Sequence, residues 1–390
     1  MKGLILFSIM LMDILVGMEF DLLVPSFPEL QHHFHLTPVW VEALLSVNFA
    51  GYCLSLFLTG EAADRFGPKP VILSGLLLFV IGSICCLASA SFLLLLGRFL
   101  QGVGIAAPAI LSFLFVAERY PLKDQQFLLA MLNGSMNIAC GIAPVIGSYV
   151  ALYFQWRANF VLLLLLGLIT LLMTTLFVPS FSSARSTALP VRGWGSLFRS
   201  GRLMLMITHM IFICVPYWIF VGMSPLLYIK ALHVPLSHFG YYQGVLALSF
   251  ALGCILLAWL MKRYGYHPRR MLSVSLIILI ASMGCIGLVL RSVHPLWITL
   301  AMLLFVLGQI VPGNILYPVV LQIVPDAKGR VSAFIQAGRL ALSSLALEVA
   351  GFYYDGSFFV IGLSLIVFVV VGVVTLFFII RNKALMAVGQ

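Results

Sequence analysis

"GEAADRFGPKP", residues 60–70, lies between two long apolar runs and turns the chain within a few small and charged residues. Gly60 permits close approach of a neighbouring helix. Asp64 can pair with a cation or a helix N-terminus, while Arg65 and Lys69 fix the loop on one side of a membrane. The stretch has an echo: "KRYGYHP", residues 262–268, sets Arg263, Tyr264, Gly265 and Pro268 where the first has Arg65, Phe66, Gly67 and Pro70. One loop found at matching places in two halves points to an internal repeat.

The rest of the chain agrees. Of 390 residues, 62% are hydrophobic and 9% charged, with a mean hydropathy of +1.14. A soluble domain of this length would leave far too much apolar surface in water, so the composition predicts a polytopic membrane protein. Runs of about 20 apolar residues, each able to cross roughly 30 Å of hydrocarbon, occur about twelve times. They fall near 3–25, 42–62, 70–90, 93–116, 127–152, 159–179, 203–229, 238–261, 271–291, 295–320, 329–351 and 357–380. The N-terminal run lacks a small-residue cleavage site and carries acids, which predicts an uncleaved first span.

Basic residues cluster in alternate loops. With both termini inside, the cytoplasmic side receives most of them, among them Lys2, Arg65, Lys69, Arg119, Lys123, Arg269, Arg270 and Arg381; the other side receives Arg157, Lys230 and Arg291. This predicts a multi-pass membrane protein with both termini cytoplasmic. The Ser/Pro/Gly-rich midpoint holds four arginines and no acid, and is predicted to be a cytoplasmic linker over 181–202 between six-helix halves at 1–180 and 203–390. The net charge of +10 is dispersed in short clusters with no long basic stripe, which argues against nucleic acid. The seven cysteines all sit in apolar runs without metal-ligand spacing and read as buried free thiols.

The first span poses the chemical question. "MDILVGMEFDLLVP", residues 12–25, carries Asp13, Glu19 and Asp21, although an acid at a helix centre costs roughly 2.5–3.5 kcal/mol on insertion scales. At 100° per residue Asp13 and Asp21 differ by about 80° and stand about 12 Å apart along the axis, while Glu19 points about 160° from Asp21. Asp13 and Asp21 are therefore expected to line one cavity-facing surface, with Glu19 toward a packed helix or the cavity mouth. An intramembrane carboxylate holds a proton or a cationic substrate, but poorly both. Such competition couples two fluxes, with Asp21 as the principal coupling acid and Asp13 sharing substrate attraction. Arg98 within the fourth run needs a partner or a wet cavity. The second half adds His209, which can titrate near neutral pH or simply pack, and Arg339 and Glu348, whose spacing sets them on opposite helix faces. Tyr52, Tyr217, Trp218 and Tyr241 are placed to line a cavity. "QHHFH", residues 31–35, is an outer loop, either solvated or a weak metal site; no metal is otherwise expected.

These residues resemble the major facilitator superfamily over nearly the full chain. Residues 60–70 follow its signature G-x-x-x-D-R-x-G-x-[KR], with Gly60, Asp64, Arg65, Gly67 and Lys69 in register. The resemblance implies an all-α membrane fold of twelve helices in two pseudo-symmetric six-helix bundles, with this loop as a latch for one of two alternating states. "LLGRFLQGVG", with Arg98, Gln101 and Gly102, looks like the fourth-helix motif, whose arginine is associated with proton transfer in proton-coupled members. "GIAPVIGS", with Gly141, Pro144 and Gly147, partly matches the antiporter motif, with Ala143 and Ser148 replacing two glycines; Pro144 should bend its helix. "DLLVPSFPEL", "WRANF" and "HFGYYQG" resemble the Bcr/CflA-like branch of drug/proton antiporters. The resemblance implies a monomeric proton-coupled exporter of amphipathic small molecules that uses the proton gradient and no cofactor. A dedicated exporter or importer of one polar metabolite or siderophore-like chelator remains the alternative. No H-E-x-x-H pair and no G-x-x-x-x-G-K-[ST] loop occurs, so neither a metalloenzyme nor an ATP-driven pump is expected.

Overall fold

The computed structural model describes residues 2–120, 122–180, 200–264, 268–323 and 328–382. The predicted linker at 181–202 thus lies outside the described residues up to 199. The chain divides into two compact units, Met1–Ala188 with Pro235–Gly244, and Leu189–Val234 with Val245–Gln390.

The first unit runs α1 (Lys2–Asp21), a 3-10 turn (Val24–Ser26), α2 (Phe27–His33), α3 (Pro38–Phe66), α4 (Pro68–Cys86), α5 (Ser91–Arg119) and α6 (Leu122–Phe177). The first span was predicted to end near residue 25. Instead α1 stops at Asp21, and Pro25 and Pro28, which lack amide donors, open the 3-10 turn and α2. The predicted spans 127–152 and 159–179 form one helical run that folds back at Gln155, where φ is 66° and ψ 171°. Pro144, expected to bend this helix, lies within it; the dihedrals leave helical values at Gln155. There the Glu29 carboxylate accepts from the Trp156 amide at 2.9 Å and caps the second leg.

Helix contacts in this unit use small residues, as expected where lipid supplies no hydrophobic drive between helices. α4 packs on α5, and a Cβ added at Gly82 would stand 2.6 Å from the Gly97 carbonyl oxygen and 2.8 Å from the Gln101 nitrogen. α1 packs on α6 through Gly17, set against the Met136 carbonyl.

The second unit holds α7 (Gly201–Phe212), α8 (Val215–Pro225) with a π turn (Leu226–Ala231), the part of α9 (Leu236–Tyr264) from Val245 onward, α10 (Pro268–Leu288), α11 (Pro295–Ile323), α12 (Lys328–Tyr353) and α13 (Phe358–Arg381). The predicted span 203–229 is broken at Ile213–Cys214, just before Pro216. α10 packs on α11 and α13, and Ser275 Oγ donates to the Gly308 carbonyl at 2.6 Å. The loop into α13 is fixed by Asp355, whose carboxylate accepts from Ser357 N and Oγ at 2.9 and 2.7 Å. Those bonds hold its carboxyl below the usual range.

Among the described residues ten helical segments are long and apolar enough to cross a membrane. One of them, Met131–Phe177, contains the reversal at Gln155, and α12 adds a 26-residue helix carrying Arg339 and Glu348. Counted this way, the twelve predicted crossings are present. Leu252, Ile255, Ile277 and Leu288 are 64%, 66%, 65% and 88% exposed, a coat suited to lipid rather than water.

Two substitutions test this packing. Gly82→Ala should lower thermal stability in detergent by about 1–3 kcal/mol through overpacking, whereas Gly284→Ala on α10, with nothing within 4 Å, should be neutral or stabilising by up to about 1 kcal/mol. Gln155→Gly should raise the melting temperature, because its backbone region is essentially glycine-only and costs another residue about 1–3 kcal/mol.

Candidate functional site

The three acids of α1 meet three different surroundings. Glu19 and Arg98 are fully buried, and Arg98 Nη1 contacts Glu19 Oε1 at 3.1 Å. The same Nη1 donates to Gln101 Oε1 at 2.7 Å, and Arg98 Nε donates to the Leu44 carbonyl at 3.0 Å. Asn48 on α3 donates to both Glu19 Oε1 and the Arg98 carbonyl. Gln101 Nε2 then donates to Ser83 Oγ on α4 at 2.8 Å. A single network therefore ties α1, α3, α4 and α5. Gly102 makes room for it: a Cβ there would collide with the Asn48 carbonyl oxygen. Glu19 Oε2, Asn48 Oδ1 and Arg98 Nη2 remain without a hydrogen-bond partner.

Asp13, also fully buried, accepts from Ser112 Oγ on α5 at 3.2 Å through Oδ1, while Oδ2 has no partner. Asp21 is 3% exposed at the end of α1. It shares a helix face with Gly17, four residues earlier, which packs on α6, and Gly147 of α6 abuts the Leu22 carbonyl. The sequence grouped Asp13 with Asp21 and set Glu19 apart. The structure instead turns Asp13 and Glu19 toward α5 and Asp21 toward α6. α5 is long enough to meet two of the three acids, Asp13 through Ser112 and Glu19 through Arg98. Tyr52 of α3 stacks on Phe20 with centroids 6.2 Å apart, next to these acids.

The other motif residues have local roles. Among the described residues nothing lies within 4 Å of a Cβ added at Gly60, so they show no close approach there. Gly67 has φ 87°, which accounts for glycine at the turn. Arg65 lies over the Phe66 ring at 5.3 Å, and Lys69 Nζ donates to the Thr175 carbonyl at 3.1 Å, near the C-terminus of α6. The Asp64 side chain is outside the described residues. Within the first unit Gly240 packs against the Pro144 carbonyl at 2.7 Å and Gly244 against that of Gly141 at 3.0 Å, measured from an added Cβ. Tyr149 and Tyr241 share a hydroxyl–hydroxyl hydrogen bond of 2.7 Å beside them.

In the second unit His209 Nδ1 lies 3.1 Å from the Gly372 carbonyl and 3.0 Å from Thr375 Oγ1, fully buried between α7 and α13. The carbonyl assigns the proton to Nδ1, a packing arrangement. Arg339 donates to Gln336 Oε1 and to Cys214 Sγ, each at 3.1 Å. Glu348 is half-buried on α12. Asn48, Ser83 and Ser112 were missed in the sequence; a lone amide or hydroxyl in an apolar run is the signal that could have raised them. Glu42, buried on α3, was also missed; as the first residue of the predicted span 42–62 it read as a boundary charge. Among the described residues no group of three His, Cys, Asp or Glu is arranged to hold a metal.

A family model described as the Major Facilitator Superfamily matches residues 9–347. The chain belongs to this superfamily. Its relatives and structural neighbours are membrane transporters, not enzymes. Multidrug resistance protein MdtL of Escherichia coli strain K12/DH10B is 33% identical over 159 residues, 40% of this chain and 40% of that protein. The MdtL protein of Shigella boydii serotype 18 matches to the same extent. The matched region thus spans about two-fifths of these relatives. Over nearly full length, a D-xylose–proton symporter superposes with a TM-score of 0.80 at 14% identity, covering 98% of this chain and 97% of that one. A bacterial homologue of the human lysosomal transporter Spinster gives 0.75 at 16%, with the same coverage. At such identities the likeness concerns the fold alone.

Removing one partner of the network leaves a buried charge. Arg98→Met or Glu19→Gln alone should each destabilise the transporter by about 3–5 kcal/mol. The double variant should cost clearly less than the sum, read as a double-mutant cycle of unfolding in detergent; additivity would show that the pair does not interact.

Proposed function

We propose that this transporter is a proton-coupled exporter of small amphipathic molecules across a bacterial inner membrane. In this reading it works as a monomer by alternating access between six-helix halves, with both termini cytoplasmic and the proton gradient, not a cofactor, as its energy source. The observation that carries the reading is the Asp13 and Asp21 pair. Both are buried in α1, and among the described residues neither has a basic partner holding it as Arg98 holds Glu19. A structural acid in hydrocarbon is expected to be held by a cation. An acid kept without one can exchange a proton for a cationic or polar ligand, and that exclusion links the two movements. Membership of the superfamily and the 33% match to MdtL support efflux.

Arg339 favours a second reading. It is half-buried and its hydrogen bonds go to an uncharged amide and a thiol, so it can receive a substrate carboxylate. A dedicated carrier of one polar metabolite or siderophore-like chelator would use it in that way.

Proteoliposomes with an imposed pH gradient test both. Substrate should move against the proton flow across a panel of dyes, drugs and chelators. Asp21→Asn should reduce gradient-driven transport at least tenfold while leaving exchange without a gradient, and Asp13→Asn should raise the half-saturating concentration of cationic substrates. Inward movement of one chelator with the protons, abolished by Arg339→Gln, would establish the second reading instead.

A further inference from the structure

At the other end of the first unit's α3 and α5 lies a cavity of about 390 Å³ that the transport reading does not use. Its walls come from the α2–α3 loop, the start of α3 and the start of α5. His35, Leu36, Thr37 and Ser91 come from the loop and the helix starts, Trp40 and Phe92 are exposed, and Leu44 and Leu95 lie further along α3 and α5. Trp40 is 54% exposed and Phe92 72%, at the first turns of two segments apolar enough to cross the membrane. Exposed Trp and Phe at such positions mark the boundary between headgroups and hydrocarbon. Leu44 lies six residues into α3 and Leu95 four after Ser91, so the apolar floor is about 6–9 Å below the helix starts.

Polarity therefore falls along the membrane normal, from an imidazole and a hydroxyl through two aromatics to aliphatic side chains. The first turns of α3 and α5 have no side-chain cap, so two helix N-termini leave amide donors at the polar end. That gradient is the gradient of a phospholipid. We propose that this cavity binds a phospholipid of the surrounding bilayer, with its phosphate beside His35 and Ser91 and an acyl chain against Leu44 and Leu95. The site reaches the buried network by one bond, because the Leu44 carbonyl accepts from Arg98 Nε at 3.0 Å. An occupied cavity presses on the segment that orients Arg98.

The test uses the full chain in detergent and a phospholipid carrying a diazirine in its acyl chain. Photolabelling should saturate on residues 35–44 and 91–95, and unlabelled phospholipid should displace it while inorganic phosphate does not. Leu95→Trp, which fills the cavity, should cut that labelling at least fivefold at unchanged melting temperature. Should that variant fold poorly, Phe92→Asp at the exposed rim should give the same loss by placing a carboxylate against the phosphate. Labelling that rises linearly with probe, matches that of lipid-facing Leu252 and Ile277, or survives both variants would overturn the proposal. Displacement by inorganic phosphate alone would reassign the site to a free anion and overturn it too. The readout is binding, so it stands or falls separately from any transport assay.

Discussion

Hydrocarbon solvates neither a charge nor an unpaired amide, and the Glu19–Arg98 contact is where this chain meets that constraint most severely. Neither group can stay buried alone. Their pairing fixes the distance between α1 and α5, and Asn48 and Gln101 extend the hold to α3 and α4. The glycines at 82, 97 and 102 follow from it, since the backbones must come close enough for short polar side chains to meet. The network is polar, yet it acts as the core of the first unit.

Set against this, Asp13 differs in kind. Each acid leaves one oxygen without a partner, but the other oxygen of Asp13 meets a neutral hydroxyl, Ser112, whereas that of Glu19 is held by a guanidinium and an amide. The distinction separates an acid that builds the bundle from one free to change partners. It also assigns Arg98 to the bundle in this conformation: four atoms or groups already occupy its surroundings, so any part it plays in proton movement must first loosen that network. Buried ion pairs are seldom the cheapest way to stabilise a core, and this one makes sense as a register device that sets helix α1 against α5.

Much of the fold was legible because it rests on length and polarity. Twelve apolar runs, alternating basic loops and the loop echoed at residues 262–268 required no tertiary information. What was not legible depends on the third dimension. Periodicity gives the direction of each Cβ on α1, but not which helix stands there, so Glu19 was set toward a packed helix without its partner Arg98, and Asp13 was joined to Asp21. Asn48 and Ser112 carry no charge and do not interrupt hydropathy, so nothing in a one-dimensional reading marks them. Gln155 illustrates the converse: no proline or glycine marks the place where the backbone leaves helical values, and Glu29, distant in sequence, supplies the cap there.

The position of Asp21 then acquires a physical meaning. It is the last residue of α1, followed by a turn and a short 3-10 segment before α2. Carbonyls at a helix C-terminus have lost their intrahelical donors and carry partial negative charge, which favours positive charge beside them. A mid-helix acid such as Asp13 can change its ligand only by moving whole helices. An acid at a break has fewer backbone bonds to disturb, because residues 22–26 already depart from α geometry. The Glu19–Arg98 contact lies two residues away on another face and ties the same helix to α5. Within a single turn α1 therefore carries one acid held by a buried ion pair and one that closes the helix.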